Sequence, residues 1–437
     1  MGHRVGKNLY RELHRKIDGL SMRAPWNETF HAIVKELYSE EEADVIVKMP
    51  YGLSPLKRIA LLSGKDEKRL SEVLNGLANK GLVIDIFRED TAYYMPSPMI
   101  IGIFEFTMMR TGNDFDPKKM AKLFHEYLSS DNSFYAANMS GGNTFSVLRV
   151  IPHEEGFRPE HAIEVLDYEK ARTIIENTKR FGIGICSCRH EKHHLDEKKC
   201  QTPLDNCTSF GFSVDYLVRN RLARESTKSE MLENLARSRE LGLVLSADNV
   251  QKNVQYICHC CACCCNYLAG LSRWGYTEAV ITSSYLARSD DSECNGCKIC
   301  STACPVNAIK MEELTPPEPK RKRKPIVNDS WCIGCGVCTL KCKTKSMHLV
   351  PRKQKVITPQ DMFEKTILQT LEKGNLQNMI FDNPNSVSQD LMRALVGGFL
   401  RLSPVKKALV SNALRSRFLS AMKSGVKSQG KGWLTEM

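Results

Sequence analysis

The sequence predicts an α+β chain of several domains: a helix-and-strand N-terminal part, a cysteine-rich α/β middle, a small domain on a repeated cysteine spacing, and a helical tail. Three observations carry this. At 437 residues the chain holds two to four domains of roughly 100–200 residues each. All 18 cysteines lie between Cys186 and Cys342. Helical apolar spacing dominates after Pro359. The expected boundaries are 1–100, 101–285, 286–350 and 351–437.

Composition excludes several classes. With 42% hydrophobic and 26% charged residues the chain is neither disordered nor collagen-like. No stretch reaches the roughly 18 apolar residues of a spanning helix, so no transmembrane segment is expected. The polar start Met1-Gly2-His3-Arg4 lacks the apolar core of a secretory signal. A cytoplasmic location is expected, where crowded thiols read as metal ligands rather than disulfides. The net charge of +12 resides in the last third: 23 Lys/Arg against 10 Asp/Glu follow Cys304. Such asymmetry points to an acidic partner surface, nucleic acid or anionic lipid.

In the first part, Glu40–Met49, Pro55–Ser63 and Asp66–Lys80 read as helices, with Leu70, Val73, Leu74 and Leu77 on one face, Asp66 as N-cap and Gly81 as the stop. Strands at Leu82–Phe87 and Ala92–Met95 follow. The order resembles a winged helix, a fold that often binds DNA through its third helix. That helix mixes Lys68, Arg69 and Lys80 with Asp66, Glu67 and Glu72, a weak phosphate footprint, so a docking module is favoured over a DNA reader. Ile100–Asn138 reads as two helices, with Phe104, Phe106, Met108, Met109, Phe124 and Tyr127 as core. A strand at His161–Leu166, a helix at Tyr168–Arg180 and a turn at Gly182-Ile183-Gly184 lead to the first cysteine.

Cys294, Cys297, Cys300 and Cys304, followed by Pro305, repeat their spacing at Cys332, Cys335, Cys338 and Cys342. Two-residue steps wrap a tight loop around one face of a cubane, and the fourth cysteine is expected to begin a short helix that points away. The run C-x2-C-x2-C-x3-C resembles the two-cluster bacterial-type (4Fe-4S) ferredoxins. That resemblance implies two [4Fe-4S] clusters, one held by Cys294, Cys297, Cys300 and Cys342, the other by Cys332, Cys335, Cys338 and Cys304. Lys343 departs from the pattern by replacing the second proline. Zinc is the competing metal, disfavoured by two complete consecutive runs. The connection from Cys304 to Cys332, with the basic run Lys320–Lys324, reads as an exposed loop.

The other ten cysteines fall in two segments. Cys186, Cys188, Cys200 and Cys207 form one group able to hold a cubane, and Cys258, Cys260, Cys261, Cys263, Cys264 and Cys265 the other. Adjacent side chains diverge, so sites built from both segments are favoured over one site each. Cys186, Cys188, Cys200, Cys207, Cys258, Cys260, Cys263 and Cys264 are the expected ligands of one or two additional iron–sulfur clusters, with Cys261 and Cys265 surplus. His190 and His259 are possible ligands, whereas His193 and His194 read as a solvated loop. The Gly-Ile-Cys-x-Cys-Arg-His and Cys-His-Cys-Cys-x-Cys-Cys-Cys strings upstream of the ferredoxin runs resemble a group of multi-cluster iron–sulfur proteins common in anaerobic bacteria and archaea.

In the tail, Asp361–Glu372, Ser386–Leu400 and Pro404–Ser424 read as helices. The last is basic and amphipathic, fit for a membrane surface, a partner groove or ordinary packing. The resemblance implies single-electron relay through the ferredoxin-type clusters and the central centre, to or from a flavoprotein or large oxidoreductase. Two alternatives stand beside it: an oxidoreductase reducing a small substrate at the central cysteines, and a redox-responsive DNA-binding regulator.

Overall fold

Helix starts follow from local capping chemistry. In the computed structural model, which describes residues 2–139, 145–162, 165–275, 283–353 and 355–436, α1 (Gly2–Asp18) and α2 (Glu28–Leu37) precede the first predicted helix. Asn27 caps α2 by accepting from the Phe30 N–H at 2.7 Å. A Ser39/Glu42 capping box opens α3 (Glu40–Lys48). Short β1 (Ser54–Pro55) leads into α4 (Leu56–Ser63), and Asp66 caps α5 (Glu67–Asn79) as expected. The hairpin β2 (Val83–Arg88) and β3 (Thr91–Pro96) completes a three-stranded sheet of order β1-β3-β2. Where two helices were expected there is a π-type turn, Met99–Ile103, then three: α6 (Phe104–Met109), α7 (Pro117–Ser129) and α8 (Ser133–Met139). Asp116 and Asp131 break the pattern, each accepting from a backbone N–H. One apolar core, including Phe30, Ile46, Leu74, Phe104, Phe124 and Tyr127, runs through all of this.

The middle is an antiparallel six-stranded sheet of order β4-β8-β9-β6-β5-β7. Its strands are β4 (Leu148–Ile151), β5 (Phe181–Gly184), β6 (Cys207–Phe210), β7 (Ala223–Ser226), β8 (Val244–Asp248) and β9 (Tyr256–Cys260). Between them lie α9 (Pro159–Ala162), α10 (Ala171–Glu176), α11 (Ser187–His194), α12 (Phe212–Arg219) and α13 (Lys228–Leu241), with α14 (Asn266–Trp274) after β9. Two expectations are corrected. Residues 159–162 are helical after Pro159, so no strand begins at His161; residues 163–164 of that segment lie outside the described residues. The Gly182–Gly184 segment is a central strand rather than a turn. A Cβ on Gly182 would lie 2.6 Å from Ser209 Oγ, so the glycine admits its neighbouring strand.

The repeated cysteine runs sit between β10 (Tyr285–Ser289) and β13 (Met347–Pro351), which pair antiparallel. The expected loop from Cys304 to Cys332 is instead a hairpin, β11 (Ile309–Glu318) with β12 (Arg321–Val327). Arg321 of the basic run is buried and paired with Glu318 and Asp291. Short helices α15 (Ile299–Ala303) and α16 (Val337–Leu340) carry the third cysteine of each run.

The tail holds α17 (Met362–Lys373), α18 (Leu376–Ile380), α19 (Val387–Leu400), α20 (Ser403–Val410) and α21 (Arg415–Ser428), splitting the expected last helix in two. Leu409, Phe418, Leu419 and Met422 pack with Phe363, Leu368 and Leu371 of α17. That face of the basic segment is therefore core. The tail is bound to the first part by Arg58–Asp382 at 2.6 Å and by Asn375 Nδ2 to the carbonyls of Asp18 and Leu20.

Candidate metal centres

Two cavities are framed by the ferredoxin-type runs. One is lined by Cys304, Cys332, Cys335 and Cys338, the other by Cys294, Cys297, Cys300 and Cys342. Each run thus gives three cysteines to one cavity and its fourth to the other. The two loops turn alike: Gly296 and Gly334, at φ +69° and +65°, take the same left-handed place. A Cβ there would fall 2.5 Å from Arg323 O or 2.3 Å from Tyr285 O. Backbone N–H groups point at sulfur, Ala308 to Cys304 at 3.2 Å, Ala287 to Cys332 at 3.4 Å and Gly296 to Cys294 at 3.4 Å. Ser346 and Thr344 hydroxyls lie 3.4 and 3.6 Å from Cys342 Sγ. Four sulfurs about each void, with donors already aimed at them, fit two [4Fe-4S] clusters. Such donors favour the reduced, more negative state. Cys297 is the one exposed cysteine among the eight and opens a corner of the Cys294 cavity to solvent, whereas Cys294, Cys300, Cys335 and Cys338 are buried.

The ten central cysteines divide differently from the sequence expectation. Six collect where one end of the sheet meets two helix N-termini. Cys186 and Cys265 are the N-cap residues of α11 and α14, and Cys188 lies in the first turn of α11. Helix N-termini stabilise thiolate, which suits a ligand. Cys258 and Cys260 alternate along β9, so both side chains face the same way. The β6–β9 register, Thr208 opposite Ile257, sets Cys207 opposite Cys258. Interactions between thiols run through the set: Cys258 is raised by hydrogen bonding with Cys207 and Cys260, and Cys260 is lowered to about 6 by Cys258 and Cys265. Burial pushes Cys186 up to about 12. Metal loading here must therefore release protons. Arg189 is buried behind this basin, donating to Asn206 Oδ1 at 3.1 Å and to the His259 carbonyl, and its charge favours neighbouring thiolates.

The remaining four, Cys200, Cys261, Cys263 and Cys264, form a separate tetrad. Cys200 is therefore parted from Cys186, Cys188 and Cys207, correcting the expected group. Cys261 and Cys265, expected to be surplus, each belong to a set. Sequence proximity misled here, because the turn Cys261–Cys265, closed by Cys265 N–H to Cys261 O at 3.1 Å, gathers Cys261, Cys263 and Cys264 with Cys200 and leaves Cys265 to the basin.

The histidines are otherwise engaged. His259 uses Nδ1 on Ser238 Oγ at 2.7 Å and Nε2 on Thr208 Oγ1 at 3.1 Å. His190 uses Nδ1 on the Met108 carbonyl at 2.7 Å and Nε2 on His194 at 2.9 Å. Neither leaves a ring nitrogen for metal. His193 and His194 lie on α11 rather than in a loop, with His193 exposed.

A polar group beside Cys188 and Cys265 was not foreseen from the sequence. Glu191, fully buried, meets Lys192 Nζ at 2.9 Å, His125 Nδ1 at 3.2 Å and the Asn266 amide. It ties the second turn of α11 to the start of α14.

The outer and central sites share a core. Cys335, Ile333 and Val337 pack in one apolar cluster with Cys265, Leu268 and Leu271, and Cys260 packs against it. The His153 N–H donates to the Cys335 carbonyl at 3.1 Å across the same junction.

Residues 293–346 match the 4Fe-4S dicluster domain family. No curated protein and no solved structure matches the chain. The match supports an iron–sulfur electron-transfer protein with ferredoxin-like, 4Fe-4S-type metal binding. Among the described residues, no helix is long and apolar enough to cross a membrane.

Proposed function

We propose that the chain relays single electrons in the order outer cavity, inner cavity, six-cysteine basin, with a redox protein at the exposed Cys297 end. One observation carries this reading: the apolar cluster that joins Cys335 of the inner cavity to Cys265 and Cys260 of the basin. Continuous packing keeps water out and holds redox centres at fixed separation, the protein's part in such a relay. The cysteines fit two [4Fe-4S] clusters in the ferredoxin-type domain and a further iron–sulfur centre in the basin. A flavoprotein or large oxidoreductase is the expected class of partner.

Regulation of DNA has less support. The β2–β3 hairpin is packed inward: Tyr216 Oη donates to Val83 O at 3.2 Å, Asn220 Nδ2 to Asp85 Oδ1 at 3.0 Å, and Trp433 lies 4.9 Å from Tyr93. Arg69 and Lys80 of the third helix segment are paired with Glu41 and Glu42. Both features favour a docking role for this part.

The test is stopped-flow reduction of the full-length, anaerobically purified protein, followed by EPR of freeze-quenched samples. In C335S, the outer cluster is expected to reduce as in the wild type while the central signal slows at least tenfold. Equal central reduction in both proteins would remove the inner cavity from the path.

A further inference from the structure

We infer that Cys200, Cys261, Cys263 and Cys264 bind a single tetrahedral metal ion, zinc, in place of any iron–sulfur cluster. Four of the sulfur–sulfur separations are 3.5 Å (Cys200–Cys261), 3.9 Å (Cys200–Cys264), 3.7 Å (Cys261–Cys263) and 3.5 Å (Cys263–Cys264). All four sulfurs lie within 4.8 Å of one another. A tetrahedron with zinc–sulfur bonds of roughly 2.3 Å has edges of about 3.8 Å, which these distances match. A cubane interposes four irons and four sulfides, so its thiolate sulfurs stand on the order of 6 Å apart.

The same chain supplies the comparison. The eight ferredoxin-type cysteines surround open cavities. Among the described residues, the tetrad is the only set of three or more His, Cys, Asp or Glu donors gathered this closely. The six-cysteine basin brings thiols together in pairs, and neither it nor the ferredoxin-type runs gathers three sulfurs within 4.8 Å of one another. Chain geometry thus separates cluster-sized sites from one ion-sized site. Zinc suits the ion-sized one because four thiolates satisfy it without an open position.

The ion's place in the fold gives it a task. Cys200 lies in the irregular segment between α11 and β6, and the other three lie in the turn between β9 and α14. The first segment carries Leu204, whose carbonyl accepts the Cys186 N–H at 2.7 Å, and it ends at Cys207. A bond from Cys200 to the β9–α14 turn would therefore tie down the segment that flanks the basin. The ion is a staple, outside the electron path, and its assignment does not depend on the relay.

Metal analysis of the full-length protein tests this, with zinc and iron counted together. The wild type is expected to hold one zinc per chain in addition to its iron. C263S, altered at an exposed position, should retain at most a tenth of that zinc in a chelator wash and keep its iron. C186S should do the reverse, losing iron and keeping zinc. Cells grown in cobalt should give protein with thiolate-to-cobalt charge-transfer absorption that C263S lacks; this reading is taken on wild type even if a variant fails to fold. Absence of zinc from the wild type, a single iron at the tetrad, or loss of about four irons in C263S would each overturn the assignment.

Discussion

Gly334 illustrates how single backbone positions govern the metal sites. Its φ of +65° is in the left-handed region, and an added Cβ would lie 2.3 Å from the Tyr285 carbonyl oxygen. That oxygen belongs to β10, which is anchored along its length to β13. Relief therefore requires moving either the strand or the cysteine loop. G334A is expected to cost roughly 1–3 kcal/mol in strain and to lower bound iron by about four atoms per chain, since Cys332 and Cys335 flank the glycine. Iron and sulfide quantification checks this, and a full complement of iron in G334A would refute it. At this scale much was legible in sequence. The equal spacing of the two runs pointed to the cysteines that line the two cavities, and Asp66 was recognisable as a cap. The division of the ten central cysteines was not legible, because it depends on strand register and on which way a turn sends adjacent thiols. Cys200 and Cys207 are seven positions apart and serve different sites; Cys207 and Cys258 are far apart in sequence and face each other across a ladder. His259 likewise read as a possible ligand only because Ser238 and Thr208, which occupy its ring nitrogens, come from other elements.

Among the elements, α17 carries a titratable group that links pH to stability. Lys373, in its last turn, is buried and donates to the Asn138 carbonyl. Burial lowers its pKa from 10.5 to about 8. Below about pH 8 the lysine is charged in both folded and unfolded chains, and the folded state bears the full desolvation cost, on the order of 3 kcal/mol. Between about 8 and 10.5 the folded chain releases this proton first, the unfolded chain binds more protons, and stability rises with pH. K373M removes the group, so the variant should melt above the wild type at pH 7, with the difference shrinking by pH 10. Thermal melts of both proteins across that range measure it, and a difference that stays constant would show that Lys373 does not carry the effect. Elements also mark where local reading fell short. The basic run Lys320–Lys324 looked solvated because five consecutive charges disfavour burial. Arg321 is nevertheless buried, since Glu318 at the end of β11 and Asp291 in a neighbouring turn meet its guanidinium. Pairing partners of that kind cannot be seen from the run itself.

Across the whole molecule, the tail closes back on the N-terminal part and leaves one apolar face uncovered. The last helices use their apolar side chains in the α17 core, so the amphipathic segment singled out by sequence is not the exposed one. The uncovered face is on α19, where Val387, Leu391, Leu395 and Phe399 are 84%, 62%, 62% and 59% exposed at four-residue spacing. Asn385 Nδ2 donates to the Leu62 carbonyl, which ties the start of this helix to α4 and its exposed Leu61. The turn after α19 exposes Arg401 and Leu402, and α20 exposes Lys407. Apolar anchors bordered by cations match the boundary of an anionic bilayer, where each buried large side chain contributes roughly 1.5–3 kcal/mol and the charges add a salt-sensitive attraction. The full-length protein is therefore expected to sediment with vesicles containing phosphatidylglycerol and to bind phosphatidylcholine vesicles less. L391E/L395E should weaken the first interaction at least tenfold while leaving iron content unchanged, because neither leucine belongs to an interior core or adjoins a cysteine site. Indifference of the wild type to both vesicles, or equal sedimentation of the double variant, would assign this face to something other than lipid.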